Sequence, residues 1–563
     1  MFCKVECEVN LVDKRKYSLG VDFGTESARC LTVDIVSGEE KAIAVSQYAD
    51  GVISKKIPGT SIVLENNWAL QNPADWLSSL REVIHQVLKE GNLAPEEIVG
   101  LGISFTSCTV LPTNEDGTPL CFLDVWKNVP HAWPKLWKHH AAQPEADLIN
   151  SFSNLEQEPW LKRYGGLISS EWLFPKALQI LRESPDCFAA AQRIIEGGDW
   201  VVWKLTGKEM RSACQAGYKA LWSEKEGYPA NLFLEKLGKG FSQVIDKLGE
   251  KVYPVGTCAG KLTTEIASTL NLLPGTPVGT SIIDAHAAMA GAGVASAEKM
   301  VMVLGTSTCH ILVSKEEVLL EGVAGVVKDG IIPGYYGYES GQSAVGDIFA
   351  WVMNYGLPEG YYNEATQLGV TLHDLLIGKC MNQMPGEHGL LALDWLNGNR
   401  SVLMNSDLKG LLIGLTLNTK PEDIYRAMIE ATAFGTRLII EVYKSSRIEI
   451  NELYACGGLV SNEFLLQIYS DITGLEIKVA ASSQTTALGA AILGAMAAGS
   501  KGGGYDSHNE AINKMTKPVR KVYKPNPKNQ GIYDEMFKDY ALLHDFFGRK
   551  NPSIMKNLRR LVY

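Results

Sequence analysis

Short apolar runs ending in Gly or Asp alternate along this chain with longer stretches in which apolar residues return every three or four positions. From Tyr17, the runs Tyr-Ser-Leu-Gly-Val-Asp22-Phe and Ala28-Arg29-Cys-Leu-Thr-Val-Asp34 flank a turn holding Gly24 and Thr25, which predicts a β-hairpin. Trp76, Leu77, Leu80, Val83, Ile84, Val87 and Leu88 then recur at helical spacing. With Asn72 as N-cap, Pro73 at the first helical position and Gly91 past the end, they predict a helix from Pro73 to Lys89 with one buried face. A strand from Ile98 to Ser104 follows.

The second half repeats this order. Lys299 to Val313 again reads strand, turn, strand, and its Gly305-Thr306-Ser307-Thr308 shares the pattern Gly-Thr-x-Ser/Thr with Gly24-Thr25-Glu26-Ser27, position for position at the turn. A helix from Pro421 to Tyr443 leads into a strand, Leu453 to Cys456, ended by Gly457-Gly458. One fold used twice is the expectation. Between the halves, the run Gly279 to Ile283 ends at Asp284 and is followed by small residues and a Met, so Asp284 stands where a strand gives way to a helix. That position suits a working carboxylate at a strand end, and equally a helix cap.

At 563 residues the chain exceeds the roughly 250–300 that one core supports, which predicts two large domains and a cleft. No run approaches the roughly 18 apolar residues of a membrane span. The charged start (Lys4, Glu6, Glu8, Asp13, Lys14, Arg15) reads as neither signal nor transit peptide, so a cytoplasmic protein is expected. Eleven scattered cysteines without a Cys-x-x-Cys fit a reducing compartment, and the close pair Cys3 and Cys7 lacks further metal ligands. A net charge of −10 argues against nucleic acid. Gly499 to Tyr505 reads as a linker, the basic run Lys517, Arg520, Lys521, Lys524 as a solvated tail, and Ile532, Tyr533, Met536, Phe537, Tyr540 and Leu543 as a helix face docking on the body.

Neither a P-loop nor a Gly-x-Gly-x-x-Gly fingerprint is present. The two Gly-Thr-Ser turns can hold phosphate instead, since Gly lets the backbone approach and exposed N–H and hydroxyl groups face an anion. Asp22 beside the first turn suits Mg²⁺, or is an ordinary strand-end Asp. The Gly457-Gly458 pair permits a flat ligand against the backbone, or is a tight turn.

Taken together, Asp22-Phe-Gly24-Thr25-Glu26-Ser27-Ala-Arg29, Trp172-Leu-Phe-Pro-Lys176, Asp199-Trp-Val-Val-Trp-Lys-Leu-Thr206-Gly207, Asp284, Gly305-Thr306-Ser307, Gly457-Gly458 with Asn462, and Leu488-Gly489-Ala490-Ala491 fall in an order that resembles the FGGY carbohydrate kinases. The resemblance covers nearly the whole chain. It implies an α/β fold of two ribonuclease-H-like, actin-like ATPase domains flanking a catalytic cleft: an extension over 1–16, a sugar-binding domain over 17–295, a nucleotide-binding domain over 296–500, and a linker with a helical tail over 501–563. Phe105-Thr106-Ser107-Cys108-Thr109, Trp137 to Ala142, Gly217-Tyr218-Lys219-Ala220-Leu-Trp222 and Glu339-Ser-Gly-Gln342 resemble the branch of the family that phosphorylates L-ribulose at its 5-position, a step of L-arabinose breakdown. Thr106-Ser107-Cys108 replaces the Gln-Arg-Glu group of glycerol kinases.

Carried over, the resemblance implies Asp284 as general base, Asp22 as Mg²⁺ partner, and Gly24, Thr25, Glu26, Ser27, Arg29, Gly305 and Thr306 around the triphosphate of ATP. Gly346, Gly458 and Asn462 would line the nucleotide, and Thr106, Lys219, Asp284 and Glu339 the sugar. Ten of twelve tryptophans precede residue 223, which suits a sugar site on the first domain, while His139 and His140 read as packing or surface residues. ATP, Mg²⁺ and a sugar are the expected partners, with no nucleic acid or membrane and a homodimer left open. Another ketopentose or polyol such as xylulose or ribitol, and an actin-like scaffold or chaperone ATPase, are the alternatives.

Overall fold

The computed structural model describes residues 16–249 and 251–560, so Cys3, Cys7 and all but the last residue of the expected extension lie outside the described residues. The first hairpin forms as β1 (Tyr17–Phe23) and β2 (Ser27–Asp34), and β3 (Glu40–Gln47) adds antiparallel to β2. Helix α1 (Pro73–Gly91) returns across it, capped by the Asn72 side chain accepting from Ala74 N–H, with Trp76, Leu80, Val83, Ile84, Val87 and Leu88 buried. It runs through Gly91, because Asn92 rather than the glycine takes the left-handed conformation (φ 51°) that ends it. β4 (Ile98–Phe105) then lies parallel to β1. With β5 (Cys258–Lys261), β6 (Pro277–Gly279) and β7 (Ile282–Ile283) they make a seven-stranded sheet ordered β3-β2-β1-β4-β6-β5, β7 pairing with β4.

The second sheet repeats the plan. β8 (Lys299–Leu304) and β9 (Thr308–Ser314) form the hairpin, β11 (Tyr336–Gln342) adds antiparallel to β9, and β12 (Glu452–Cys456) lies parallel to β8. β10 (Val326–Lys328), β13 (Ile477–Val479) and β14 (Lys521–Tyr523) complete the order β10-β11-β9-β8-β12-β13-β14. The two turns differ in length. The pair Phe23 and Ala28 encloses Gly24–Ser27, whereas Leu304 and Thr308 enclose only Gly305–Ser307, so the match in residue type is not a match in register.

The helices that set the site are α2 (Ala213–Lys219), α3 (Asp284–Gly291), α4 (Gly346–Tyr355), α5 (Pro421–Ser445), α6 (Glu463–Thr473), α7 (Thr485–Ala498) and α8 (Pro527–Asp545). Helix α7 is apolar on every side and is clamped between the two halves against β1, β4 and α3. The approach is backbone to backbone: a Cβ on Gly102 would stand 1.8 Å from the Ala490 carbonyl oxygen, and one on Gly20 1.9 Å from that of Ala487. Ser18 Oγ donates to the Ala491 carbonyl at 2.6 Å.

Past α7 the side chains of Lys517, Arg520, Lys521 and Lys524 are exposed, as expected of a solvated run, but the segment that carries them docks on the body, and so does the expected linker before it. Gly504 packs on the Ala495 carbonyl, the Tyr505 hydroxyl donates to Ile35 O, and Lys521 lies in an edge strand of the second sheet, paired with Glu463 at 2.6 Å. Tyr523 buries against the second core, which is why this segment orders. Helix α8 docks with Tyr533 and Tyr540 buried and Met536, Phe537 and Leu543 packed beside them, while Ile532 faces outward at 40 % exposure.

Candidate active site

Three adjacent parallel strands deliver the central side chains. Asp22 pairs with Ser104 across β1 and β4, and Ile282 pairs with Ser104 across β7 and β4, so Asp22, Thr106 and Asp284 emerge together at the C-terminal end of the sheet. Asp284 is the first residue of α3, half-buried, its Oδ1 accepting the Ala285 N–H at 2.7 Å, while Oδ2 has no protein partner among the described residues. Burial and the nearby Asp22 carboxylate push its pKa up to about 7. Ser281, three residues earlier, donates to buried Asp199 at 2.6 Å, and Asp199 also accepts the Ser212 N–H at 3.2 Å, which fixes the strand leading to Asp284.

Asp22 is buried and accepts from Ser104 Oγ and Thr486 Oγ1, both at 2.8 Å, with Arg29 Nε 3.6 Å from Oδ2. Burial raises its pKa, against the pull of Arg29. Arg29 Nη1 also reaches Gln484 Oε1 at 3.4 Å, tying β2 to the start of α7. In the first turn, Gly24 N–H is spent on Ser27 O, Thr25 O accepts from Gln71 at 2.7 Å and Thr25 Oγ1 from Trp137 Nε1 at 3.0 Å. Glu26 is exposed, its carboxylate turned toward Gly51.

In the second turn, Gly305 N–H bonds to Ser307 O and Thr306 is exposed. Gly346 donates to the Gly305 carbonyl at 3.0 Å, so α4 starts on this turn, and a Cβ on Gly346 would meet that carbonyl at 2.8 Å. Gly458 is exposed, with open space where a Cβ would stand. Asn462 is committed to capping α6, accepting from Leu465 N–H at 3.0 Å, and donates toward His373 at 3.3 Å.

On the other side of Asp284 a buried cluster crosses between the halves. Lys219 Nζ, at the end of α2, lies 2.9 and 3.2 Å from the two carboxylate oxygens of Glu339 in β11. Glu339 also accepts from Arg400 Nη2 and faces His286 Nε2 at 3.2 Å. Burial alone would raise the pKa of Glu339, yet Lys219 and Arg400 hold it well below the carboxylate range. Thr106 Oγ1 pairs with Thr109 Oγ1 at 3.2 Å nearby. Arg400 and His286 escaped the sequence reading: Asn-Gly-Asn-Arg400-Ser reads as a turn, and His286 as one residue of a small-residue helix. His139 packs between Trp68 and Gln179, and His140 is exposed, as expected.

An ionisable carboxylate at a strand end, flanked by a hydroxyl-rich turn on one side and a charged cluster spanning two halves on the other, suits transfer of a charged group to a polyhydroxylated acceptor. The chain is 49% identical over 549 residues to a ribulokinase of Shouchella clausii (strain KSM-K16), covering 97% of this chain and 98% of the relative. It is 44% identical over 546 residues to a ribulokinase of Mycolicibacterium smegmatis, covering 97% and 96%. In fold it superposes on the crystal structure of ligand-bound xylulose kinase from Lactobacillus acidophilus with a TM-score of 0.78 at 18% identity, covering 96% of this chain and 100% of that one. Residues 17–291 match the N-terminal domain and residues 300–498 the C-terminal domain of the FGGY family of carbohydrate kinases, and the chain belongs to that family.

Proposed function

We propose that the chain transfers the γ-phosphoryl group of ATP to the C5 hydroxyl of L-ribulose, giving L-ribulose 5-phosphate and ADP. The observation that carries this reading is Asp284: a strand-end carboxylate with one unpartnered oxygen and a pKa near 7, between Asp22 and the Lys219–Glu339 pair. A base with such a pKa takes a hydroxyl proton at neutral pH, a contribution of about 10²–10⁴ in rate. Thr106, Lys219 and Glu339 orient the sugar, and the ribulokinase relatives favour ribulose over other ketopentoses and polyols. Gly24, Thr25, Glu26, Ser27, Arg29, Gly305 and Thr306 face the triphosphate; Gly346, Gly458 and Asn462 form the nucleotide wall, Asn462 by fixing the start of α6.

The donor set fits Mg²⁺. No cluster of three or more His, Cys, Asp or Glu among the described residues could cage a metal. The Asp22 carboxylate raises the cost of ionising Asp284, a cost that a cation relieves. Asp22 would hold Mg²⁺ with water and phosphate oxygens, and the ion would supply charge neutralisation on the phosphates. No helix among the described residues is long and apolar enough to cross a membrane, and a cytoplasmic site of action, where ATP is made available, belongs to this proposal.

The test is ADP release with L-ribulose, D-xylulose, ribitol and glycerol, with the product's phosphate position read by phosphorus NMR. Highest kcat/KM on L-ribulose with phosphate on C5 is expected. A different best acceptor would reassign the substrate, and sugar-independent hydrolysis would favour a scaffold ATPase.

A further inference from the structure

Arg400 lies in the loop between two short paired strands, Leu391–Leu393 and Leu411–Ile413, far in sequence from Asp284 and from both turns. Ser401 stitches this loop to β11 in both directions: its N–H donates to Gly341 O, and its Oγ accepts the Gly341 N–H, each at 3.1 Å. Register then decides where the guanidinium goes. Cys309 of β9 pairs with Gly341, and Ile311 with Glu339, so Cys309 and Glu339 share one face, and Arg400 spans them with Nη2 on Glu339 and Nη1 3.6 Å from Cys309 Sγ. Cys309 follows the second Gly-Thr-Ser turn by one residue past Thr308 and feels the charge of Asp284.

Among the described residues these are its two hydrogen-bond contacts, with the Glu171 carboxylate pulling on it from further away. The remaining guanidinium hydrogens have no protein partner among the described residues, and the side chain is 31 % exposed, unlike Lys219 and Glu339 at 4 and 5 %. Lys219 lies buried against both oxygens of Glu339, so among the described residues of this cluster Arg400 is the more exposed cation with donors to spare. A planar fork with spare N–H groups matches phosphoryl oxygens better than single sugar hydroxyls.

We infer that Arg400 is a catalytic residue that hydrogen-bonds the transferring phosphoryl group and stabilises its charge in the transition state. The inference rests on the proposed kinase activity. In that step the acceptor hydroxyl oxygen forms a bond to the γ-phosphorus as the bond from that phosphorus to the β–γ bridging oxygen breaks. The hydroxyl proton passes to the Asp284 carboxylate, ADP leaves with the electron pair, and Arg400 gains and loses no proton. Glu339, which also grips Lys219 from the first half, holds the guanidinium in place, so the arrangement is complete only when the two halves are together.

The experiment is steady-state kinetics of Arg400→Gln, Arg400→Lys and Arg400→Ala, the last with and without added guanidinium ion. Arg400→Gln should lower kcat about 100-fold, with both KM values within about threefold of wild type and an unchanged melting temperature. Arg400→Lys should retain an intermediate rate, and guanidinium should restore turnover to Arg400→Ala. Because the role concerns the phosphoryl group, the loss in kcat should be equal for ribulose and for poorer acceptors. A raised sugar KM at near-normal kcat would show that Arg400 only sets Glu339, and an unchanged kcat, or no rescue in a folded Arg400→Ala, would equally overturn the inference. Should wild type prefer another acceptor, the substrate proposal fails while the Arg400 test proceeds on that acceptor.

Discussion

At the level of single residues, Asp284 carries the proposed chemistry. Replacing it with Asn should cut kcat about 10²–10⁴-fold while nucleotide affinity stays, measured by steady-state kinetics and by titration of ADP. In wild type, kcat/KM should fall about tenfold per pH unit below about 7, because the carboxylate must be unprotonated to act as base. The same pKa has a cost in stability. With a folded value near 7 and an unfolded value near 3.9, the folded state holds the extra proton between those limits, so stability is greatest below about 4 and is lost as pH rises through about 7. Asp284→Asn should therefore melt higher than wild type at pH 8, with the gap closing toward pH 4; a lower melting point at pH 8 would contradict the strained-carboxylate reading. Lys219→Ala should raise the sugar KM and leave that for ATP nearly unchanged, since Lys219 touches Glu339 and neither phosphate turn. Asp22 and Asp284 could be found in the sequence because each is the carboxylate at or next to the end of an apolar run. Arg400 could not, because nothing in a polar turn reveals that Ser401 will be tied to β11.

Among the elements, α7 and α8 carry the interactions that periodicity could not assign. Helix α7 is apolar on all sides, so the sequence identifies a buried helix without naming its partner. The structure puts it on the first sheet, where Gly20, Gly100 and Gly102 admit its backbone. A Cβ at residue 102 would stand 1.8 Å from a carbonyl oxygen, so Gly102→Ala must displace backbone and should cost about 1–3 kcal/mol or more by denaturant unfolding. An unperturbed midpoint would mean that α7 is not seated there. Helix α8 showed its docking face in the sequence, and the anchor is polar as well as apolar. Tyr533 donates to buried Glu430 at 2.8 Å, and Glu430 also accepts from Arg426 at 2.9 Å. Tyr533→Phe should lose about 1.5–3 kcal/mol, the range for a hydrogen bond to a charged group, in the same assay. The matching turns were legible by residue type, but their unequal lengths were not, since only strand pairing fixes where each loop begins.

For the whole molecule, two sheets of one plan meet across α3 and α7, and charged side chains from both build the ion-paired cluster near Asp284. The repeat and the two-domain division were legible because hairpin, helix and parallel strand recur in order, and the family matches over 17–291 and 300–498 follow the same division. What the sequence does not display is how the halves are joined, for instance where Arg163 and Lys225 of the first half both grip Glu317 of the second. Lys219 and Glu339 make a further such bond, so a sugar that lies among them would meet both halves at once and couple its own binding to the chemistry. The most direct test is ADP release by wild type and Asp284→Asn with and without L-ribulose at pH 8. Sugar should accelerate wild type strongly and leave Asp284→Asn close to its basal rate. Equal stimulation of both proteins, or hydrolysis in wild type indifferent to sugar, would contradict a base-assisted transfer to the sugar at this site.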